Sequence, residues 1–520
     1  MEPFYGEQKY LWPELGDRID VEANSFLSKG WESNYPHPRY EDIKVSGSAY
    51  QNTVLDKEKG PIEELHSRKS RAFLTNSFNT YSNHEPLLGI PFPWLTHEKL
   101  RASWNAGILN LSHQGGLQPP EKVPYAVNQE IFCSFQFNPD MDIDREILAV
   151  AERYVGEHDG GDLVKGWQLT EEAIRSFMPL SIYTYYGVVW QRLFVRPLVP
   201  DIDRIPEEER AYYEKFMCSS IHNPNRVDLA KDVLFELVSK DYAYRVFNLI
   251  DENVWGPINA ALSLFKVKME EAGRSKKHRV LRVFKDQHFR IRALKSLFET
   301  LRNTAVWIYA VHEYLDTQDL SEKASCRKLL DEMIDREIQN CRELIRLWKE
   351  SSVEWMIVAK TSETPFIYGD NFPELLERKM NLMEKHRHDE PYIDPDYTGE
   401  FSPQKSNPGT GWIMVKAIKL TPKAIIEALK KGEFYATIGV ILKDITITKN
   451  KYIIEMIKQE DDIKYTTTFI GKNGKILKES FDMRAVYAFK GDESYVRARI
   501  FASSGEFACT QPVFLKDSSQ

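Results

Sequence analysis

Several features are missing from this chain of 520 residues, and each absence excludes a class of protein. No window approaches the roughly 18 apolar residues that cross a bilayer. The N-terminus has neither the basic nor the apolar region of a secretory signal. The five cysteines show no CxxC or paired spacing, which favours reduced thiols. The sequence therefore predicts a soluble, cytoplasmic protein without a membrane partner.

An excess of positive charge is missing too. The chain has 69 Lys and Arg against 77 Asp and Glu, and its net charge is −8. A general nucleic-acid-binding surface would need a basic field, so no nucleic acid partner is predicted. The sequence also lacks a Walker loop, a GxGxxG motif and a Ser/His/Asp elbow. No cofactor is predicted.

What is present is an ordinary globular composition, 42% hydrophobic and 28% charged. The length predicts about three domains. We expect a barrel-like α/β segment at 1–140, a helical domain at 141–396, a linker at 397–411 and a β-sandwich module at 412–520. The predicted fold class is multidomain α/β + α + β, with a partial (β/α) barrel, a helical bundle and a C-terminal antiparallel β-sandwich.

Short apolar runs beside turn residues predict buried strands in the first segment. Alternating strand and helix suits half of a barrel. An open half barrel would expose sheet edges, which favours a homodimer or a missing partner, and we expect an upstream segment to be absent from this chain. The predicted strands are Arg18–Phe26, Leu87–Ile90, Gly107–Leu111 and Glu130–Phe137, and Ile62–Phe73 has helical spacing.

Two apolar stripes with spacings of three and four, within 279–316 and 326–348, predict an antiparallel helix pair. Glu337 interrupts the second stripe, so we expect a structural ion pair there. Its candidate partners across the bundle are Arg290, Arg292 and Arg302.

Capping residues predict further helix boundaries. Asp142 and Gly156 should bound one helix, Thr170 should begin another, and Thr421 should begin a short helix that ends at Gly432. Beyond Gly432, alternating apolar runs separated by NG, GDE and SSGE predict antiparallel strands.

Three carboxylates lie near predicted strand ends and are the catalytic candidates: Glu22, Glu85 and Glu130. Hydrolysis of a glycosidic bond needs two carboxyl groups that flank the bond, one protonated and one ionised. The alternative interpretation is that these acids are structural residues or lie at the rim of a site.

Polar residues on the same loops predict a sugar-binding site, because sugar hydroxyls need several donors and acceptors beside an aromatic platform. The histidines are not at HxH or HxxxH spacing, so no metal is predicted here. His386 and His388 do form an HxH, but residues two apart on a helix point away from each other. The predicted substrate-binding residues are His37, His84, His97, His113, Gln114, Asn128, Trp94 and Trp104.

Residues from about 18 to 395 resemble the late half of a glycoside-hydrolase-type barrel with its helical domain. The segments that carry the resemblance are VEANSF, HPRYEDI, LLGIPFPWLTH, AGILNLSHQGG, VNQE and FQFNPDMDIDREILAVAERYVG. The last is similar to the point where α-glucuronidase-type and hexosaminidase-type barrels pass into a helical domain. The resemblance implies a carbohydrate ligand and acid/base cleavage of a glycosidic bond.

Residues from about 411 to 515 resemble the C-terminal part of the polymerase-and-histidinol-phosphatase (PHP) metallohydrolases. GWIMVKA, LTPKAIIEALKKGEFYATIG, DESYVRARI and TQPVFL carry this resemblance. The N-terminal HxH and the DxH that bind metal in that family have no counterpart at matching places. The sequence thus favours a glycoside-hydrolase-like protein, then a non-catalytic carbohydrate-binding or scaffold protein, then a PHP-like metal-dependent hydrolase.

Overall fold

The chain forms two compact units, Met1–Glu400 and Phe401–Gln520, in a computed structural model. The first is largely helical and the second is built from antiparallel sheets, so the predicted mixture of α and β structure in several parts is confirmed. The predicted linker at 397–411 lies almost entirely outside the described residues, and the predicted domain boundaries stay predictions. The structure describes 21–24, 31–32, 44–45, 72–76, 84, 86–105, 110–113, 120–177, 192–216, 239–364, 367–393, 411–458 and 463–515.

Three short parallel strands form the first sheet, in the order β1-β4-β5. The predicted strand at Arg18–Phe26 is confirmed over Val21–Asn24, and its other residues lie outside the described part of the chain. The run Gly107–Leu111 overlaps β5 at Asn110 and Leu111. The end of Ile62–Phe73 lies in β4, which is a strand, and the rest of that run is outside the described residues. The strands are β1 (Val21–Asn24), β2 (Trp31–Glu32), β3 (Lys44–Val45), β4 (Ala72–Asn76) and β5 (Asn110–His113), with β2 antiparallel to β3.

The helices of the Met1–Glu400 unit bury their apolar faces in a common core. As predicted, Asp142 caps one of them by accepting from the Arg145 N–H, and Gly156 ends it. The helices are α1 (Pro93–Asn105), α2 (Val127–Phe137), α3 (Ile143–Val155), α4 (Glu157–Phe177), α5 (Glu207–Phe216), α6 (Lys240–Asn253), α7 (Trp255–Arg274), α8 (His278–Asp316), α9 (Leu320–Glu350) and α10 (Phe372–His386), with 3-10 turns at Pro120–Lys122 and Ile202–Arg204 and a two-residue parallel ladder between β6 (Val358–Ala359) and β7 (Tyr368–Gly369).

Two predicted strands are wrong. Glu130–Phe137 is part of helix α2, because the buried side chains Val127, Ile131 and Phe135 recur every four residues, and not every second residue as in a strand. Leu87–Ile90 is buried as expected, but it forms a single bridge from Leu87 to Met356 and not a strand of a sheet.

The helix start predicted at Thr170 is also wrong. Helix α4 runs through this residue without interruption. The Thr170 hydroxyl donates to the Gly166 carbonyl at 2.8 Å, the i−4 bond that threonine makes inside a helix.

The antiparallel helix pair is confirmed by α8 and α9. Partners later in α8 meet earlier residues of α9: Arg292 binds Glu343, and Glu299 binds Arg336 at 2.7 Å. Helix α8 is 39 residues long and most of it is buried, including Phe298. It is the central element of the helical core.

Glu337 forms a buried ion pair, but the predicted partner is wrong. Its carboxylate lies 2.5 Å from Lys379 of α10, and both side chains have no exposed surface. The Lys379 ammonium also donates to the Leu193 and Phe194 carbonyls. The three arginines considered as partners bind elsewhere: Arg290 to Asp286, Arg292 to Glu343 and Arg302 to Asp251.

Within 411–458 and 463–515, the described residues of the Phe401–Gln520 unit form two antiparallel sheets and one helix. The elements are β8 (Trp412–Val415), α11 (Pro422–Lys430), β9 (Phe434–Thr437), β10 (Leu442–Ile447), β11 (Lys451–Met456), β12 (Tyr465–Ile470), β13 (Ile476–Ser480), β14 (Arg484–Ala488), β15 (Tyr495–Ala502), β16 (Phe507–Thr510) and β17 (Val513–Phe514), with a 3-10 turn at Lys472–Gly474. The smaller sheet has the order β10-β11-β14. The larger sheet has the order β13-β12-β15-β16-β9-β8, with β17 paired to β15.

Both sheets contribute side chains to one apolar core. The Phe469 ring of β12 lies 5.7 Å from Tyr452 of β11 and 5.4 Å from Tyr487 of β14, measured between centroids. The predicted start of α11 is confirmed, because the Thr421 hydroxyl accepts from the Ala424 N–H. Gly432 follows the helix with a φ of +73°.

Candidate functional site

The carboxyl ends of β1, β4 and β5 lie at one edge of the parallel sheet and carry polar residues. In register, Asn24 is opposite Thr75, and Thr75 is opposite Ser112. The next row pairs Asn76 with His113. In parallel α/β sheets this edge is where ligands bind, because the loops that follow the strands converge there.

Glu22 lies in the same sheet, two residues before the end of β1 and opposite Phe73. Because strand residues two apart share a face, Glu22 and Asn24 belong to one face of the sheet. The structure describes the backbone of these strands and not the side chains of Glu22 or His113. His37, Glu85 and Gln114 lie outside the described residues.

Glu130 lies in the first turn of helix α2 and not at the end of a strand. Its carboxylate accepts from Arg153 at 2.9 Å and from the Tyr154 hydroxyl at 3.3 Å. Burial and the neighbouring Glu130 carboxylate raise the pKa of the Tyr154 phenol. These contacts join α2 to α3, a structural role.

Asn128 connects α2 to the chain segment that leads into α1. Its side-chain carbonyl accepts from the Phe92 N–H at 2.8 Å, and its amide donates to the Ile90 carbonyl at 2.9 Å. The side chain is 7% exposed. Asn128 thus replaces the strand partner that the Leu87–Ile90 run was predicted to have.

The aromatic and imidazole candidates of α1 contact neighbouring helices. The Trp94 indole donates to Asp144 at 2.8 Å, and the rings of His97 and Trp104 both make T-shaped contacts with Phe135. Burial lowers the pKa of His97. Trp104 is 38% exposed, so this ring is partly available to a ligand.

His84 is fully buried beside Phe92, with the ring centroids 5.8 Å apart. Burial lowers its pKa to about 3, so the imidazole is uncharged at neutral pH. His84 therefore belongs to the core of the unit.

Neither the family models nor the curated proteins include a match to this chain. Among solved structures, the chain is similar to a family GH115 4-O-methyl-alpha-glucuronidase with specificity for decorated arabinogalactans. The two share 10% sequence identity with a TM-score of 0.29, and the match covers 91% of this chain and 54% of that one. This chain thus spans about half the length of that enzyme. A likeness of this size carries no argument about activity.

One residue that sequence reasoning missed is Glu171 of α4. It accepts from the Trp94 and Leu95 N–H groups at the start of α1, at 3.0 and 2.9 Å. Arg175 is shared between Glu171 and Glu98, so one guanidinium serves two carboxylates. Burial raises the pKa of Glu171 to about 7. Its backbone partners in α1 lie 77 and 76 residues away in the sequence, a separation that no local pattern indicates.

The other missed residue is Arg290 of α8, which is fully buried. Its guanidinium donates to both oxygens of Asp286, at 2.8 and 2.9 Å. It also donates to the carbonyls of Leu88, Lys122 and Glu354. Arg290 therefore fixes the backbone just after Glu85, and the turn that follows β5, onto the helical core.

Metal ligands are not grouped in the part of the chain that the structure describes: no three His, Cys, Asp or Glu side chains there could hold an ion. His386 is buried and binds Asp389 at 2.7 Å, whereas the side chain of His388 is 82% exposed. The two imidazoles therefore differ in environment. The likeness of 411–515 to the PHP metallohydrolases stays a prediction.

As for a bilayer, none of the helices that the structure describes is long and apolar enough to cross one.

Proposed function

We propose that this chain is a carbohydrate-active, glycoside-hydrolase-like protein that uses carboxylate acid/base chemistry on a glycosidic bond. The observation that carries the proposal is the parallel register of β1, β4 and β5. This register gathers Asn24, Thr75, Ser112, Asn76 and His113 at the carboxyl edge of one sheet. Amide, hydroxyl and imidazole groups are what a sugar needs for hydrogen bonds.

Glu22 and Glu85 are the proposed catalytic pair. Glu22 belongs to the sheet itself, and Glu85 immediately precedes a segment that Arg290 anchors. Such chemistry needs one carboxyl group as acid and a second as nucleophile or base. Glu130 was a third candidate, but its bonds to Arg153 and Tyr154 favour a structural role.

The test is hydrolysis of a panel of 4-nitrophenyl glycosides and oligosaccharides by the full chain and its variants. Glu22→Gln and Glu85→Gln should each lower the rate by about 100-fold or more, because each removes a carboxyl group that the proposed chemistry requires. The matched control is Glu121→Gln, an exposed acid in the Pro120–Lys122 turn, which should keep the wild-type rate. Unchanged hydrolysis in both variants would disprove the assignment.

A second candidate function is that of a non-catalytic carbohydrate-binding protein. It is favoured because several of the predicted site residues form hydrogen bonds within the protein. Asn128, Glu130 and Trp94 direct their polar groups at other parts of the protein. This function predicts saturable binding of an oligosaccharide, measured by calorimetry, without release of product. Binding with hydrolysis would exclude it, and binding without hydrolysis would exclude the first proposal.

A further inference from the structure

Strand β15 of the Phe401–Gln520 unit has one core face and one outer face. Its buried residues alternate with Tyr495, Arg497, Arg499 and Phe501, which point away from the core. We call these four residues, with their cross-strand partners Phe507 and Phe514, the β15 face.

Each end of the β15 face carries a pair of aromatic rings. Tyr495 is opposite Phe514 of β17, with ring centroids 6.0 Å apart. Phe501 is opposite Phe507 of β16. Phe514 is 73% exposed and Phe501 is 44% exposed. At about 3.4 Å per residue, the two pairs lie roughly 20 Å apart along the strand.

Two arginines lie between the aromatic pairs. The Arg499 guanidinium is 5.2 Å from the centroid of the Phe507 ring, within the range of a cation–π contact. Neither Arg497 nor Arg499 makes an ion pair with an acid among the described residues. The acid nearest in register, Glu479, accepts from Thr468. Planar guanidinium groups of this kind bind carboxylate and sulfate oxygens in pairs.

The charge of this part of the chain has the opposite sign to the whole. Residues 401–520 contain 19 Lys and Arg against 13 Asp and Glu, a net charge of +6, whereas the full chain is at −8. A basic region in an acidic protein attracts anionic ligands selectively. The charge of the unit and the exposed guanidinium groups of Arg497 and Arg499 therefore complement the same class of ligand.

We propose that the β15 face binds an acidic polysaccharide. Sugar rings stack on the two aromatic pairs, and carboxylate or sulfate groups bind Arg497 and Arg499. The separation of the aromatic pairs suits an extended polymer and not a single sugar. A single-stranded nucleic acid would need phosphate contacts along a longer basic stripe. The proposal does not rest on hydrolysis by the Met1–Glu400 unit.

The experiment measures binding of the full chain to polygalacturonate, dextran sulfate, neutral dextran and oligothymidylate by biolayer interferometry. Arg497→Gln with Arg499→Gln should weaken binding to the two acidic polymers by about tenfold or more, because charge-assisted hydrogen bonds are lost. Phe501→Ala should weaken it by roughly fivefold through lost stacking. Circular dichroism and thermal melts show whether each variant is folded.

The matched control is Lys472→Gln with Lys475→Gln, which removes the same charge from an exposed turn beyond the β15 face. Unchanged binding by this control supports the proposal. If both double variants lose affinity equally, the effect is one of net charge, and the proposal is overturned. Equal affinity for neutral dextran, tighter binding of oligothymidylate, or no binding to either acidic polymer would also overturn it. Arg497→Lys with Arg499→Lys keeps the charge, and intermediate affinity there confirms the need for planar guanidinium groups.

Discussion

Replacing Arg290 by methionine should destabilise the Met1–Glu400 unit more than the loss of an ordinary ion pair. All five N–H groups of this side chain are used, two on Asp286 and three on backbone carbonyls. Asp286 is only 4% exposed, so water cannot readily solvate its carboxylate once Arg290 is removed. Removing one partner of a buried pair costs about 3–5 kcal/mol. Three unpaired carbonyls add about 1 kcal/mol each at the lower end, so the expected loss is roughly 6–8 kcal/mol.

The assay is chemical denaturation followed by tryptophan fluorescence, with the free energy of unfolding taken from the midpoint and slope. Arg101→Met is the matched control, since its ion pair with Asp140 is exposed to solvent and should contribute less than about 1 kcal/mol. The double variant Asp286→Leu with Arg290→Met removes both charges and should recover about 3 kcal/mol of the loss. If Arg290→Met lowers the free energy of unfolding by no more than Arg101→Met does, the hydrogen bonds of Arg290 do not stabilise the unit.

Three further predictions concern positions inside the Met1–Glu400 unit. Gly89→Ala should destabilise the unit by about 2 kcal/mol more than Gly156→Ala. Both glycines have a positive φ, but only at Gly89 would an added Cβ meet the Arg290 side chain. Equal losses of unfolding free energy in the two variants would contradict this prediction. Because the pKa of Glu171 is raised from 4.5 to about 7, the folded state binds more protons than the unfolded state between these two pH values. The stability of the wild type relative to Glu171→Gln should therefore fall by roughly 3 kcal/mol as the pH rises from 4.5 to 7. Parallel curves of stability against pH for the two proteins would refute this prediction. Lys379→Met should cost about 3–5 kcal/mol by leaving a buried carboxylate unpaired, and a loss below 1 kcal/mol would show that water reaches that site.

The sequence predicts best those elements whose pattern repeats over many residues. The α8–α9 pair was predictable because the apolar spacing of three and four continues for several turns in each helix. The strands of the Phe401–Gln520 unit were predictable because alternation and turn residues agree there. The short run Glu130–Phe137 was mistaken for a strand because its eight residues, five of them apolar or aromatic, fit either structure. Only Val127, which lies outside the run, extends the helical period.

The contacts of buried polar side chains were not predictable, because their partners are distant in the sequence. Glu337 was correctly expected to form an ion pair, but three arginines on α8 were available by spacing, and the actual partner is Lys379 of another helix. The Leu87–Ile90 run was correctly expected to be buried. Its backbone is bonded by Asn128 and Arg290, 38 and 202 residues away from the carbonyls they bind, and not by a neighbouring strand.

The polar residues between His84 and Pro139 therefore lie in two kinds of place that the sequence alone does not separate. Asn128 and Glu130 join α2 to its neighbours, whereas His113 lies at the carboxyl edge of the parallel sheet. Loss of activity on changing Asn128 would consequently be accompanied by loss of stability, because its bonds to the Ile90–Phe92 segment would be broken. A change at His113 that lowers activity while the free energy of unfolding stays constant would locate the chemistry at the sheet edge. Measuring both quantities for each variant separates residues that act on a substrate from residues that hold the unit together.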